Sequence, residues 1–147
     1  MKEVRETKLV EQTTVKWFSD DGKEFDSELA CKNYERGLKG ETAKKAYERL
    51  VIAELEFPFQ EWVGDLRVDL IKLKSYDDYR TVIDYFEYEM RHDMIDCKEP
   101  ENYPCLRVAV YDEYWAEFAY ENGIEGMLEQ CEKIMTIVEK AISEVNQ

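Results

Sequence analysis

Histidine is nearly missing from this sequence. His92 is the only one in 147 residues, and the four cysteines, Cys31, Cys97, Cys105 and Cys131, form no C-x-x-C pair. A zinc site needs four closely placed nitrogen or sulfur ligands, so the usual zinc arrangements are excluded. Glycine is scarce as well: the 6 glycines are not clustered, and no phosphate-cradling loop can be drawn from them. Arg91-His92-Asp93 has the composition of a general base oriented by a carboxylate. No serine or cysteine nucleophile lies in a recognisable context, however. The sequence favours a surface histidine at a helix C-terminus, where a cation suits the helix dipole. The acids Asp93, Asp96, Glu99 and Glu101 lack the alternate spacing and glycine of a calcium loop. No enzymatic activity, cofactor or metal is expected.

Long hydrophobic runs are also absent. Nothing approaches the ~20 apolar residues of a membrane span, and Met1-Lys2-Glu3-Val4-Arg5-Glu6 has no apolar core, so it does not read as a secretion leader. Reduced thiols and a cytoplasmic location follow as expectations. Cys97 and Cys105 are close enough in sequence to meet across a loop, but one buried and one loop thiol is the favoured reading.

What the chain does have is aromatic and acidic residues. It carries 10 Tyr, 6 Phe and 3 Trp, enough apolar payload for one folded domain over residues 1–147. An N-terminal subdomain over residues 1–60 is the alternative division, with Phe57-Pro58-Phe59 and Gly64 as the candidate seam. The net charge is −14. Residues 84–132 account for most of it, with 14 acids against Arg91, Lys98 and Arg107.

The local pattern predicts an α+β fold in the order β-β-α-α-β-α-β-β-α, with a mainly antiparallel sheet and helices packed on one face. The first dozen residues are polar and read as loose chain or a short edge strand. Thr14 to Ser19 and Lys23 to Phe25 flank Asp21-Gly22, a hairpin signal that would set Phe18 opposite Phe25. Ser27 then caps a short helix ending near Gly37 to Gly40, and a second helix runs from about Glu41 to Leu55. Residues 65–74 read as a strand, bulged or buried on both faces. Ser75 and Asp78 form a variant capping box before a helix whose apolar face includes Tyr79, Val82 and Phe86. Residues 92–104 read as a long acidic loop, and Leu106, Val108 and Val110 as a strand. Tyr114 to Tyr120 fits either a returning strand or a helix face, the strand being favoured. Glu121-Asn122-Gly123 is a turn. The last helix spans 124–145, with Ile124, Cys131, Val138 and Val145 repeating every seven residues.

From Asp112 to Glu132 there is no lysine or arginine. Ordinary surfaces intersperse both signs, because like-charged neighbours destabilise each other. A stretch that forgoes this compensation points to a basic partner. The contact residues expected are Asp93, Asp96, Glu99, Glu101, Asp112, Glu113 and Glu117, with Tyr114 and Trp115 as aromatic anchors. Such a surface repels nucleic acid and anionic membranes and attracts basic protein surfaces.

Trp17 to Glu35 contains an aromatic strand, then Asp21-Gly22-x-x-Phe25, the Ser27 cap and Cys31-x-x-Tyr34-Glu35. This stretch resembles a module of small bacteriophage and prophage accessory proteins of unassigned function, over roughly residues 15–35. The resemblance carries no functional residues. It implies a phage context, in which small acidic proteins often act in host takeover or counter-defence, anti-CRISPR proteins among them. The leading expectation is therefore a non-catalytic, nucleic-acid-mimicking protein that inhibits a host defence protein by binding its basic, nucleic-acid-binding surface. Two alternatives stand beside it. One is a homo-oligomeric assembly protein, a homodimer for example, joined through the C-terminal helix. The other is a sponge for a small molecule or nucleotide signal, which needs a pocket with cationic groups; Arg67, Arg80, Arg91 and Arg107 are dispersed along the sequence.

Overall fold

The computed structural model describes residues 1–7, 13–56, 65–120 and 124–146. The polar N-terminus forms an edge strand, β1 (Lys2–Thr7), antiparallel to β2 (Thr13–Phe18), which in turn pairs with the short β3 (Glu24–Phe25). The β2–β3 register differs from the expected one: Trp17, not Phe18, lies opposite Phe25. Ser19 is the reason. Its N–H donates to the Lys23 carbonyl at 3.0 Å, and its hydroxyl accepts the Lys23 N–H at 3.0 Å, closing a longer loop around Gly22 at φ +89°.

Ser27 caps α1 (Glu28–Leu50), its hydroxyl accepting the Ala30 N–H at 3.1 Å. Where the sequence predicts two helices broken at Gly37 to Gly40, α1 runs through without interruption. Gly40 is buried, and a Cβ there would meet the Tyr88 carbonyl and the Glu89 backbone at 3.0 Å. The glycine serves close helix approach rather than helix termination. The expected helical stretch also ends early, because the β-branched pair Val51-Ile52 opens strand β4 (Val51–Glu54), which pairs with β5 (Arg67–Leu73). The candidate seam at Phe57-Pro58-Phe59 and Gly64 lies outside the described residues, as does the turn at Glu121-Asn122-Gly123.

Next comes α2 (Tyr76–Asp84), continued by a π-helical segment, Tyr85–Glu89. Ser75 occupies the cap position without a side-chain bond, while the Asp78 carboxylate accepts the Lys74 N–H at 2.7 Å. The expected acidic loop contains a short strand, β6 (Met94–Asp96). It is followed by β7 (Cys105–Tyr111), β8 (Trp115–Ala119) and α3 (Ile124–Val145). Residues 114–120 thus favour the strand reading.

The fold is α+β, as expected. The main sheet has the order β4-β5-β7-β8-β6, antiparallel except where β6 runs parallel to β8. One face carries the core: Ile71, Leu73, Ala109, Tyr111 and Ala116 pack against Ala43 and Tyr47 of α1 and against Val82, Tyr85 and Phe86. Neighbouring Val68 and Asp69 are both buried, so β5 is covered on both faces at that point, while Lys72 further along is exposed.

Asp69 is 6% exposed, and its Oδ2 accepts hydrogen bonds from the Tyr47 hydroxyl at 2.7 Å and the Tyr111 hydroxyl at 2.8 Å. A buried carboxylate needs such donors. This pair ties α1 to the sheet. Burial, reinforced by the Asp69 charge, raises both phenols well above their ordinary range.

Candidate functional site

His92 is not the expected surface residue. It is buried, stacked on Phe86 with ring centroids 5.4 Å apart, and its Nε2 lies 2.7 Å from the Asp112 carbonyl oxygen. A carbonyl only accepts, so Nε2 is the protonated nitrogen. The histidine therefore ties the end of the helical layer to the β7–β8 turn, and no nucleophile among the described residues is hydrogen-bonded to it. Among the described residues no group of three or more His, Cys, Asp or Glu side chains is placed to hold a metal ion. All four cysteines are free thiols. Cys97 is buried, which pushes its thiol up to about 12, with the Asp96 and Glu117 charges adding to the effect.

The arginines do not converge. Arg67 and Arg107 line separate clefts of about 480 and 590 Å³, and Arg80 is ion-paired with Asp84 at 3.3 Å. A larger cleft of about 760 Å³ between α1 and α2 is lined by both signs, Lys32, Arg36 and Lys39 with Asp84 and Glu87 among them. No helix of the described residues is long and apolar enough to cross a membrane.

The acidic residues are arranged around one sheet edge. β6 is the outermost strand, and its parallel register sets Asp96 beside Glu117 and Met94 beside Trp115. The Asp93 N–H donates to the Tyr114 carbonyl at 3.1 Å, which joins the start of this edge to the β7–β8 turn. Glu113 and Tyr114 sit on that turn, both exposed, Tyr114 to 63%. Beyond the other end of β6, Glu99 and Glu101 line a cleft together with Asp96, Lys98 and Arg107. Asp93, Asp96, Glu99, Glu101 and Glu113 are exposed, and Glu117 is half-buried.

Two of the expected contact residues have structural roles. Asp112 Oδ1 accepts the N–H groups of Tyr114 at 2.7 Å and Trp115 at 3.0 Å. These bonds, Tyr114 first, hold its carboxyl below the usual carboxylate range. Trp115 is half-buried in β8. Sequence reasoning missed Met94, which is 70% exposed on the edge strand between Asp93 and Asp96. Its signal was hidden because the three-residue strand lies within an apparently irregular loop.

Charge compensation divides the molecule. Every ion pair among the described residues lies between Met1 and Asp84, for example Lys16 with Glu24 at 2.7 Å and Lys32 with Glu28 at 2.7 Å. None of the edge acids has a cationic partner within that reach.

The second exposed feature is α3. Ile124, Met127 and Cys131 are half-buried, and the helix touches β7. From Glu132 to its end every residue is exposed, Ile134, Met135, Val138 and Ile142 included. The periodic stripe expected in the sequence is present, but beyond Cys131 it is exposed among the described residues.

Comparison with protein-family models, curated proteins and solved structures returns no match.

Proposed function

We propose that this chain is a non-catalytic protein that binds the basic surface of another protein through its β6 edge. The phage-like N-terminal module makes a nucleic-acid-binding defence protein of a bacterial host the partner class. By occupying that partner's basic groove, the acidic edge excludes nucleic acid and so inhibits it. The observation that carries this reading is the row Asp93, Asp96, Glu99, Glu101 and Glu117 on and beside an outermost strand, none of them in an ion pair among the described residues. Fixed carboxylates without internal partners keep their field available to a cationic surface, which speeds and orients encounter. Met94 and Tyr114 add exposed apolar surface within the same row.

The test is affinity capture from a bacterial lysate, with the quadruple variant Asp93→Lys, Asp96→Lys, Glu99→Lys and Glu101→Lys beside the native chain. These four side chains are exposed and make no ion pair among the described residues, so the variant should fold. The expected result is a basic nucleic-acid-binding protein retained by the native chain and lost both to the variant and at high salt, where screening shortens to about 3 Å. Retention indifferent to charge reversal refutes the reading.

A further inference from the structure

We propose that Arg91 and His92 are positioning residues, which fix the shape of one end of the acidic edge before its basic partner arrives. The inference rests on the acidic edge being the binding surface, and it names what holds that surface in place. Three departures from regular structure follow one another just before Asp93. The helical layer ends in the π-helical segment Tyr85–Glu89, a rare geometry that is frequent at functional sites. Arg91 then stands at φ +53°, in the left-handed region where glycine is the usual residue past a helix end. His92 turns inward, 8% exposed, and its Nδ1 is buried with no hydrogen-bond partner among the described residues. Local costs of this kind persist where the surrounding structure enforces them, and they gather at functional sites.

Together these features close a ring of hydrogen bonds. The turn at Arg91 brings the His92 N–H to the Phe86 carbonyl at 3.0 Å and stacks the imidazole on the Phe86 ring. From there the Nε2–H reaches the Asp112 carbonyl at 2.7 Å. Asp112 Oδ1 accepts the Tyr114 and Trp115 N–H groups, and the Tyr114 carbonyl accepts the N–H groups of Asp93 at 3.1 Å and Met94 at 3.5 Å. The path thus leaves His92 and returns to the residue beside it. Phenylalanine would fill the same space without a buried, unsatisfied nitrogen, so what histidine adds is the donor that closes the ring. Asp93, Met94, Glu113 and Tyr114 are exposed on this ring. Their backbone is therefore set before binding, which lowers the ordering cost that binding must meet.

Two matched pairs of variants test the roles, the members of each pair being equal in charge. His92→Phe keeps a ring and removes the donor, whereas His92→Gln restores an N–H at about the reach of Nε2. Arg91→Val, β-branched, opposes the left-handed turn, whereas Arg91→Gly permits it. Amide hydrogen exchange on the full chain reads the positioning, with the buried Ala109 as control. Affinity for a fluorescein-labelled nona-arginine peptide at low salt reads the binding. His92→Phe and Arg91→Val should speed exchange at Asp93, Tyr114 and Trp115 by about tenfold, leave Ala109 slow, and weaken the peptide severalfold. His92→Gln and Arg91→Gly should exchange more slowly at those three amides, and bind more tightly, than the other member of their pair. Unaltered exchange in His92→Phe and Arg91→Val overturns the positioning roles, and so does equal acceleration at Ala109, which marks a global loss of stability. Faster exchange with undiminished affinity overturns the link from positioning to binding. A native chain that ignores the peptide overturns the acidic edge itself, and the exchange rates tell that failure apart from a failure of positioning.

Discussion

Replacing each of two glycines in α1 by alanine should move stability in opposite directions. Gly37 and Gly40 lie three residues apart in the same helix. Alanine in a helix interior gains about 0.5–1 kcal/mol over glycine through backbone entropy. A Cβ at Gly37 meets nothing within 4 Å, so Gly37→Ala should collect that gain. At Gly40 the same Cβ lies 3.0 Å from the Tyr88 carbonyl oxygen and 3.0 Å from Glu89 Cα, backbone atoms that cannot rotate aside. Overpacking of this kind costs about 1–3 kcal/mol. Set against the entropy gain, Gly40→Ala should be destabilising by roughly 0.5–2 kcal/mol. For a chain of this size each kcal/mol moves Tm by about 2–4 °C or somewhat more. Gly37→Ala should thus raise Tm by a few degrees and Gly40→Ala lower it by a similar amount. Thermal unfolding followed by circular dichroism, with urea midpoints as a second measure, reads both. Equal stabilisation by the two substitutions would refute the close approach of α1 to the π-helical segment. Destabilisation by both would refute the continuity of α1 and restore a helix broken at its glycines.

Tyr47→Phe and Tyr111→Phe should each cost about 1.5–3 kcal/mol, the worth of a hydrogen bond to a charged group, and the pair together should cost more than the sum, because Asp69 then loses both phenol donors. A double-mutant cycle in urea reads the coupling, and simple additivity would contradict a shared carboxylate. Asp112 is held below the ordinary carboxylate pKa by the Tyr114 N–H. Its contribution is therefore fully present above the unfolded value of about 3.9 and fades as pH falls through the lower folded value. The Tm difference between native chain and Asp112→Ala should be largest near neutral pH and close in acid. A difference that stays constant down to pH about 2.5 would contradict the turn-capping role.

Elements with a strong local period were legible in the sequence. The α3 stripe, the alternation of Leu106, Val108 and Val110, and the Ser27 cap all predict what the structure contains. The misreadings came from interactions distant in sequence. Gly40 looks like a helix breaker until the backbone of Tyr88 and Glu89 is set against it. Val51-Ile52 continues a helical stripe until β5 offers a strand to pair with. β6 has only three residues, and its parallel partner lies some twenty residues further on, so no local period could reveal it. His92 looks like an exposed helix end because the Phe86 ring and the Asp112 carbonyl that enclose it come from separate elements. For the candidate surface, the charge imbalance was visible in composition. Its arrangement along one edge, and the inward role of Asp112, required the register of β6, β7 and β8.

The central claim is tested most directly by asking whether this chain displaces nucleic acid from the protein that it captures. The captured protein is loaded with a fluorescent oligonucleotide, and anisotropy is followed as the native chain is added at low salt. The account predicts full release, weakening as salt rises, and no release by the variant with lysine at Asp93, Asp96, Glu99 and Glu101. A captured protein that keeps its oligonucleotide, or one that releases it equally to the charge-reversed variant, would contradict the acidic edge as the working surface.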